Sequence, residues 1–371
     1  MKKTVGILSM QRVINYGSYL QAYGLKELLL QNGAESVDFI DIKKGRSLKG
    51  YQLSGFPYYI RRLKAMMKVI IQGRMIEKRK TMGFMRQVAE IIQNSWRELG
   101  LKNYPYYPNV DLAVIGSDEV FHCCQSTKWG FTSQLYGDIP EASEVVSYAA
   151  SFGGTKLEKI QNLGIGKEIA DNLSRLRYIS VRDDNSRKIV KTLTGRDAEI
   201  NIDPVLAYGF KKEIADAGEV DESNYILIYS YPDRINDKRE IKAITDFAKK
   251  EGKKLICVMS RYDWCERAII PTPFELLAWF KNADMVITET FHGTIFSIIT
   301  ERQFATIGRG SAMPKLTSML KPYALTDRLV SKENSIEKIF TRTIDYSVTN
   351  KELEALRFKT TQYLDKILKN K

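Results

Sequence analysis

A chain of 371 residues is longer than one typical hydrophobic core requires, so its length predicts two domains. Hydrophobic residues make up 44%, as in globular proteins, and no apolar run approaches the ~20 residues that span a bilayer. After two lysines, the N-terminal apolar run is short and lacks the small-residue cleavage site of a signal peptide. Composition therefore argues against a membrane-spanning or secreted class.

The cysteines indicate which cellular compartment the protein is expected to occupy. No metal-ligand spacing connects them, and two are adjacent in sequence, which predicts reduced, mostly buried thiols in a cytoplasm and no metal site. They are Cys123, Cys124, Cys257 and Cys265.

The net charge of +13 is concentrated in one segment. Between Lys43 and Lys102 the chain has 15 lysines and arginines against three glutamates, and the remainder is close to neutral. The charge is therefore a property of one insertion rather than of the fold. Aromatic residues are frequent there, but no recognised nucleic-acid module accompanies them, so nucleic acid is not the expected partner.

In the first half of the chain, short apolar runs rich in β-branched residues predict strands. They cover 5–9, 37–42, 111–116, 145–150, 178–181 and 199–202. A helix from about Tyr19 to Gln31 separates the first two strands. Segment 43–102 contains apolar stripes at 58–71 and 84–92 and is predicted to be a basic helical insertion in the first domain.

A polar stretch, 211–224, is predicted to be the domain junction. Beyond it, further strands are predicted with helices between them. They cover 225–229, 254–259, 285–288 and 304–307. Alternating strands and helices in both halves predict an α/β fold with two Rossmann-like parallel-sheet domains, 1–210 and 211–345, facing a cleft. The last stretch, 346–371, is predicted to be an amphipathic helix, for which packing back on the first domain is one option.

His292 is one of only two histidines, and it follows a predicted buried strand in the sequence F-H-G. The helix predicted to begin at Thr294 would place unpaired N–H groups of Gly293 and Thr294 beside it. Ligands of open α/β sheets bind at the carboxyl ends of the strands, so His292 is a candidate functional residue beside an anion site. The alternative is a capping or packing histidine.

Two more polar residues follow predicted strands. Asp118 could accept a proton from a substrate hydroxyl, or it could cap the following turn. Arg182 has a planar fork suited to a carboxylate or phosphate, or it could pair with Asp183 or Asp184. The first strand is followed by Asn15, Tyr16, Gly17 and Ser18. This stretch is predicted to be a substrate-facing loop, although it lacks the G-x-G-x-x-G spacing of dinucleotide sites.

Six stretches carry a family resemblance. They are I-N-Y-G-S-Y-L-Q-A-Y-G-L (14–25), V-I-G-S-D-E-V-F (114–121), S-Y-A-A-S-F-G (147–153), S-V-R-D-D (180–184), D-P-V (203–205) and T-E-T-F-H-G-T-I-F-S (288–297). Together, and in this order, they resemble the polysaccharide pyruvyl transferase family. The resemblance implies two Rossmann-like domains in a GT-B-like arrangement. It also implies transfer of the pyruvyl unit of phosphoenolpyruvate to a sugar of a capsular, exopolysaccharide or cell-wall unit.

The resemblance implies roles for the residues already singled out. His292 would be the general acid or a phosphate contact, Arg182 an anion clamp and Asp118 the hydroxyl base. Phosphoenolpyruvate would be a co-substrate, with no further cofactor, and the acceptor a glycan or lipid-linked sugar. One position departs from the family pattern, since Thr290 stands where members carry an arginine. Arg309 or Lys315 is the expected replacement; otherwise the donor differs.

Two alternatives remain open at this stage. A GT-B glycosyltransferase that uses a nucleotide sugar would share the fold, because fold alone does not determine chemistry. A non-enzymatic membrane-surface binder would use the basic segment, whose stretch 58–92 interleaves apolar and basic residues suited to an anionic lipid surface. For any enzyme of this family, the same segment predicts peripheral contact with the inner membrane face. Its alternatives are a packed helix with a solvated basic face and an oligomer contact.

Overall fold

The computed structural model describes residues 2–48, 75–123, 127–310 and 312–369. Its first sheet contains six parallel strands in the order β2-β1-β3-β4-β5-β6. They are β1 (Thr4–Leu8), β2 (Ser36–Phe39), β3 (Val110–Asp118), β4 (Ala142–Ala150), β5 (Ser180–Val181) and β6 (Glu199–Ile200). The central strand β3 is an almost continuous buried apolar run because helices cover both faces of a parallel sheet.

The second sheet contains five parallel strands in the order β11-β10-β7-β8-β9. They are β7 (Tyr225–Tyr229), β8 (Lys254–Val258), β9 (Arg267–Ile269), β10 (Met285–Thr288) and β11 (Gln303–Thr306). The two parallel-sheet α/β domains predicted from the sequence are thereby confirmed. Strand β9 was not predicted, because three residues are too few to show a period.

Helices cover both sheets. They are α1 (Tyr16–Gln31), α2 (Met75–Leu99), α3 (Leu157–Asn162), α4 (Gly166–Leu173), α5 (Asp184–Thr194), α6 (Pro204–Tyr208), α7 (Lys211–Asp216), α8 (Lys238–Lys250), α9 (Pro273–Asn282), α10 (Phe291–Ile299), α11 (Ala312–Leu320), α12 (Ile336–Phe340) and α13 (Tyr346–Leu368), with 3₁₀ turns at Ser133–Tyr136, Lys321–Tyr323 and Thr326–Arg328. In the described part of the chain, no helix is long and apolar enough to cross a membrane.

The basic insertion is described only in part. Helix α2 buries Phe84, Val88 and Ile92 against the first domain, and the Tyr19 hydroxyl of α1 donates to the Ser95 carbonyl at 3.1 Å. Arg86 on the opposite side is exposed. For α2, the packed helix with a solvated basic face is therefore the correct alternative. The predicted helix at 58–71 lies outside the described residues, so a helical insertion as a whole is not confirmed.

The last helix, α13, contacts the first sheet although it follows the second domain in sequence. The Tyr363 hydroxyl donates to the Ser147 carbonyl at 2.7 Å, and Lys366 pairs with Glu199 at 2.6 Å. Arg357 donates to the Leu206 carbonyl at 2.9 Å. These contacts tie the end of the chain to the first domain.

The strand orders determine where a ligand can bind. In the first sheet the order reverses between β1 and β3, and in the second between β7 and β10. At such a point the neighbouring connections leave in opposite directions and open a crevice at the carboxyl ends of the strands. The crevices of the two domains face each other, because strand-end residues of both domains, including Asp118 and Glu289, line one cavity. The Tyr16 hydroxyl also donates to the Pro271 carbonyl at 2.6 Å across the boundary.

Candidate active site

A cleft of about 760 Å³ lies where the two crevices meet. Its first-domain wall includes Ser18, at the start of α1, and Asp118, at the end of β3. Its second-domain wall includes Tyr231, just after β7, and Glu289 and His292, just after β10. The strand-end residues His292 and Asp118 thus line one space, from opposite domains.

His292 belongs to the first turn of α10. The helix begins at Phe291 rather than at Thr294, because the Thr290 hydroxyl accepts a hydrogen bond from Gly293 N at 2.8 Å and caps it. The Thr294 N–H donates to the Thr290 carbonyl. Gly293 and Thr294 are therefore engaged by the cap, and the N–H groups of Phe291 and His292 remain as first-turn donors without an intrahelical acceptor.

The imidazole of His292 is only 6% exposed and faces an acidic partner from the other domain. Its Nε2 lies 3.7 Å from Asp203 Oδ2 and is buried without a hydrogen bond. Asp203 caps α6 by accepting from Val205 N at 3.0 Å. Burial alone would raise the pKa of Asp203, but His292 and Arg182 hold it well below its ordinary value. Asp203 is thus a buried anion beside the imidazole.

Asp203 was not among the predicted site residues. It stood in the sequence analysis only as part of D-P-V, a stretch that matches the family pattern. That match, together with the position just before a helix-opening proline, was the available signal.

Arg182 is almost fully buried between two carboxylates. Its Nη1 donates to Asp203 Oδ2 at 2.7 Å, and its Nη2 lies 3.5 Å from Asp118 Oδ1. Its partners are therefore not Asp183 or Asp184, since Asp183 caps α5 through Ser186 N. The guanidinium lines a smaller neighbouring cavity of about 270 Å³ rather than the main cleft. It connects the Asp203–His292 pair to Asp118.

Asp118 ends β3 with a left-handed backbone, φ +70°. Non-glycine residues rarely adopt this conformation, and it is concentrated at functional positions. The carboxylate caps no described helix; its contacts are Arg182 and the Ser18 hydroxyl, which donates at 3.4 Å. It is therefore positioned as a cleft carboxylate rather than as a turn cap.

Some residues of the first loop line the cleft, and others stabilise the structure around it. Asn15 and Ser18 line the cleft. Asn15 caps α1 through Gly17 N at 2.7 Å and donates to the Tyr231 hydroxyl, so α1 begins at Tyr16 rather than near Tyr19. Tyr16 is buried with its hydroxyl on Pro271, where it holds the domains together. Two of the four predicted loop residues therefore face the ligand space.

Gly17 touches the ring of His292. A Cβ at this position would lie 2.3 Å from Cγ and from Nδ1 of the imidazole. Only glycine allows this approach, which sets how close the first domain comes to α10.

Gly17→Ala is expected to displace His292. Overpacking of this kind costs about 1–3 kcal/mol of stability. Since the chain has two histidines, their ring signals in NMR spectra can be assigned by substituting His122, and only those of His292 should shift. Gly83→Ala, at an exposed helical position with nothing within 4 Å, is the control. It should leave the His292 signals in place and raise the stability by about 0.5–1 kcal/mol, because alanine is favoured over glycine in a helix. Unshifted His292 signals in Gly17→Ala would refute the contact.

An ion pair crosses the cleft between Glu119 and Lys315. Lys315 Nζ lies 2.6 Å from Glu119 Oε1 and stacks 4.4 Å from the centre of the Phe291 ring. Burial raises the pKa of Glu119, but Lys315, with Arg182 and His122, more than offsets this and lowers it to about 2. The pair joins the end of β3 to α11 and therefore links the domains.

Glu119→Gln is expected to lower the free energy of unfolding at neutral pH by about 1–3 kcal/mol. Because the folded pKa is depressed from 4.5 to about 2, the stabilisation is present above pH 4.5 and is lost as pH falls towards 2. Denaturant unfolding of both proteins across this range measures the difference. A difference that does not shrink in acid would contradict the assignment.

Arg309 lines the cleft, and so does the unpredicted Arg234. Arg309 pairs with Glu240 through Nη2, while its Nε is buried without a partner. Arg234 is exposed. With Lys315, these residues give the second-domain wall three cations, although Arg309 and Lys315 each already contact a carboxylate.

Two further titratable residues of the cleft were missed by sequence reasoning. Glu289 accepts from Tyr231 N at 3.0 Å, and burial raises its pKa. His122, which the sequence analysis did not place at a strand end, contacts the Thr155 hydroxyl at 2.6 Å, and burial lowers its pKa. Both histidines therefore line one cleft. Within the described ranges, no group of three or more His, Cys, Asp or Glu could hold a metal ion.

Comparison with solved structures gives distant matches over nearly the whole chain. One is the UDP-GlcNAc 2-epimerase of Neisseria meningitidis bound to UDP-GlcNAc, with 9% identity over 100% of this chain and 95% of that chain, TM-score 0.44. Another, from Methanocaldococcus jannaschii, is also a UDP-GlcNAc 2-epimerase, with 11% identity over 92% and 91%, TM-score 0.45. A glycotransferase of kitacinnamycin shows 10% identity over 99% and 97%, TM-score 0.41. Similarity this low carries no information about ligand or chemistry.

Among curated protein sequences, none matches the chain significantly. A family model does: the polysaccharide pyruvyl transferase model matches residues 15–311. The matched range runs from the loop before α1 past Arg309 and so includes His292, Asp118, Arg182 and Asp203. The chain therefore belongs to the polysaccharide pyruvyl transferase family, a family of transferases.

Proposed function

We propose that this protein moves the pyruvyl unit of phosphoenolpyruvate onto two hydroxyl groups of a sugar, forming a ketal and releasing phosphate. The observation that carries the proposal is that His292 and Asp118 line one cleft from opposite domains. Behind them, Asp203 and Arg182 connect the two side chains through a row of alternating charges. Family membership supports a transferase, and the donor and acceptor are inferred from the chemistry below.

His292 is suited to the first step, delivery of a proton to C3 of the enol, which leaves positive charge on C2. Imidazole titrates near neutral pH and is a common general acid. The anionic Asp203 lies 3.7 Å from Nε2, so in the proposed step the proton is delivered from Nδ1. The row of charges thus puts an anion beside the ring that is proposed to give up the proton.

Asp118 is suited to the second step. Its carboxylate takes the proton of the first sugar hydroxyl as that oxygen attacks C2, and Arg182 and Ser18 hold it in place. The bond from C2 to the phosphate oxygen then breaks, and a second hydroxyl adds to C2. Of the two hydroxyl protons, one replaces the proton given to C3 and the other leaves with phosphate.

The donor's phosphate and carboxylate require cations, and the second-domain wall provides them. Lys315, Arg309 and Arg234 line this side of the cleft, next to the first-turn N–H groups of α10. An arginine at Thr290 is therefore not needed for a positive site. To bind the donor, Arg309 and Lys315 would give up their present contacts with Glu240 and Glu119, which offsets part of their attraction for a dianion.

The decisive experiment compares donors on the intact protein. Phosphoenolpyruvate is expected to raise the Tm, and adding a panel of soluble and lipid-linked sugars should release inorganic phosphate with one of them. UDP and GDP, which carry a diphosphate but no hexose, are the matched controls and should have no effect on Tm. Stabilisation by a nucleotide sugar but not by phosphoenolpyruvate would instead identify a glycosyltransferase.

A lipid-linked acceptor would place the enzyme at the cytoplasmic membrane face. Helix α2 uses its apolar side for packing, so lipid contact would fall to the sequence 58–71, outside the described residues. The protein is expected to sediment with anionic but not neutral liposomes at low salt, and less at high salt. Changing Arg61, Arg62, Lys64 and Lys68 to Gln should abolish most of this binding. If the protein does not bind anionic liposomes at low salt, the proposed contact with the membrane is wrong.

A further inference from the structure

A second cavity of about 410 Å³ adjoins the cleft, and we propose that it holds the acceptor, in the form of a phosphorylated sugar. We call it the annex, defined by Arg12, Lys44, Trp96, Tyr104, Lys128 and Trp129. Arg12, Lys128 and Trp129 line both the annex and the cleft, so the two spaces adjoin each other. This inference rests on the proposed function, since it assigns that reaction's acceptor to a place.

The annex belongs to one domain. All of its lining residues fall between Ser9 and Trp129, within the first domain. The base Asp118 stands on the same wall, whereas the cations assigned to the donor, Arg234, Arg309 and Lys315, come from the second domain. A ligand in the annex would therefore present its hydroxyls on the Asp118 side, which is where an acceptor must arrive.

The back of the annex is a rigid, neutralised wall. The Arg12 guanidinium pairs with both oxygens of Asp41 and donates to the Lys102 carbonyl at 2.8 Å. It also lies 5.5 Å from the ring centres of both Trp96 and Tyr104. Because its charge and both aromatic partners are engaged, Arg12 builds the site rather than attracting an anion.

Trp129 is the part of the annex that a sugar can use. It stands at the junction with the cleft and is half-buried. Within the described part of the chain, no ring or cation stacks on it, unlike Trp96. A sugar ring has an apolar face that packs well on an indole, and an indole constrains the orientation of that face. The junction therefore offers a platform beside the reacting groups.

The remaining charges predict what the sugar carries. Lys44 and Lys128 are exposed, and neither has a carboxylate partner among the described residues. Two ammonium groups beside an aromatic platform match a sugar that bears a phosphate or diphosphate. A neutral oligosaccharide would offer neither ammonium group an anion.

The test is calorimetric binding of glucose 1-phosphate, galactose 1-phosphate, mannose 1-phosphate and N-acetylglucosamine 1-phosphate to the whole protein. At least one is expected to bind, and Trp129→Ala should weaken it about tenfold or more without changing phosphoenolpyruvate affinity. Lys44→Gln with Lys128→Gln should reduce the preference for the sugar phosphate over the free sugar. Trp264→Ala, which removes a half-buried tryptophan stacked on Tyr262 in the second domain, is the matched control and should bind normally.

The outcomes separate the two proposals. If no sugar phosphate binds at millimolar concentration while phosphoenolpyruvate does, the annex assignment is wrong and the proposed function stands. If a sugar phosphate binds through Trp129 but phosphoenolpyruvate does not bind, the proposed donor is wrong and the assignment of the annex as a sugar site is retained. The annex would be overturned as a sugar site if Trp129→Ala and the unmodified protein bound the sugar phosphate with equal affinity. It would also be overturned if the protein bound free UMP, which lacks the hexose, more tightly than any sugar phosphate and did so through Trp129.

Discussion

His292→Gln is expected to lower phosphate release from phosphoenolpyruvate by about 10²–10⁴-fold, the usual contribution of a positioned general acid. Glutamine keeps much of the volume of imidazole but cannot deliver a proton near neutral pH. Stability should change little, because His292 Nε2 makes no hydrogen bond and Asp203 keeps its contacts with Arg182 and Val205 N. The measurement is single-turnover phosphate release at saturating donor, alongside thermal unfolding.

The other histidine provides the control. His122 lines the same cleft, yet its closest polar contact is the Thr155 hydroxyl, and its Nε2 lies 4.0 Å from Glu119. Burial lowers the pKa of His122 and outweighs the opposing effect of Glu119, so His122 is a poor acid at neutral pH. His122→Gln should therefore change turnover by less than about tenfold. Equal losses of phosphate release in His292→Gln and His122→Gln would show that His292 is not the general acid.

The sequence predicted the fold well where strands are long and buried. The apolar runs at β7 and β10 are continuous, without alternating polar residues, as is typical of strands covered on both faces. The structure places these strands at 225–229 and 285–288. Helix starts were less accurate at α1 and α10. In both, a polar side chain, Asn15 or Thr290, accepts from a backbone N–H two or three residues later and starts the helix earlier than its apolar stripe.

The sequence predicted where the site lies, but not which side chains pair within it. The rule that ligands meet strand ends selected His292 and Asp118, both of which line the cleft. The pairings were not predictable, because they join distant parts of the chain. Arg182 reaches Asp203, 21 residues on, and Glu119 reaches Lys315, 196 residues on, whereas sequence reasoning could offer Arg182 only its neighbours. Partner choice depends on which loops the two sheets bring together.

Those pairings give the buried row of charges a structural role besides its proposed chemical one. Arg182→Met is expected to lower the free energy of unfolding by about 3–5 kcal/mol, because removing one member of a buried pair leaves an uncompensated charge. Asp203 would lose its 2.7 Å contact in an environment that is 1% exposed, and Asp118 would lose its closest cation. Urea unfolding at neutral pH measures the loss.

An exposed ion pair of the same domain makes the matched control. Arg46 pairs with Glu168, but its side chain is 55% exposed, so Arg46→Met should cost at most about 1 kcal/mol. Asp203→Asn keeps the cap of α6 while removing the charge, and combined with Arg182→Met it should cost less than the two single changes added together. Since the pKa of Asp203 is depressed, the stabilisation should persist from about pH 5 to 8 and disappear only in stronger acid. Similar losses of stability for Arg182→Met and Arg46→Met would mean that the row is solvated and does not connect His292 to Asp118.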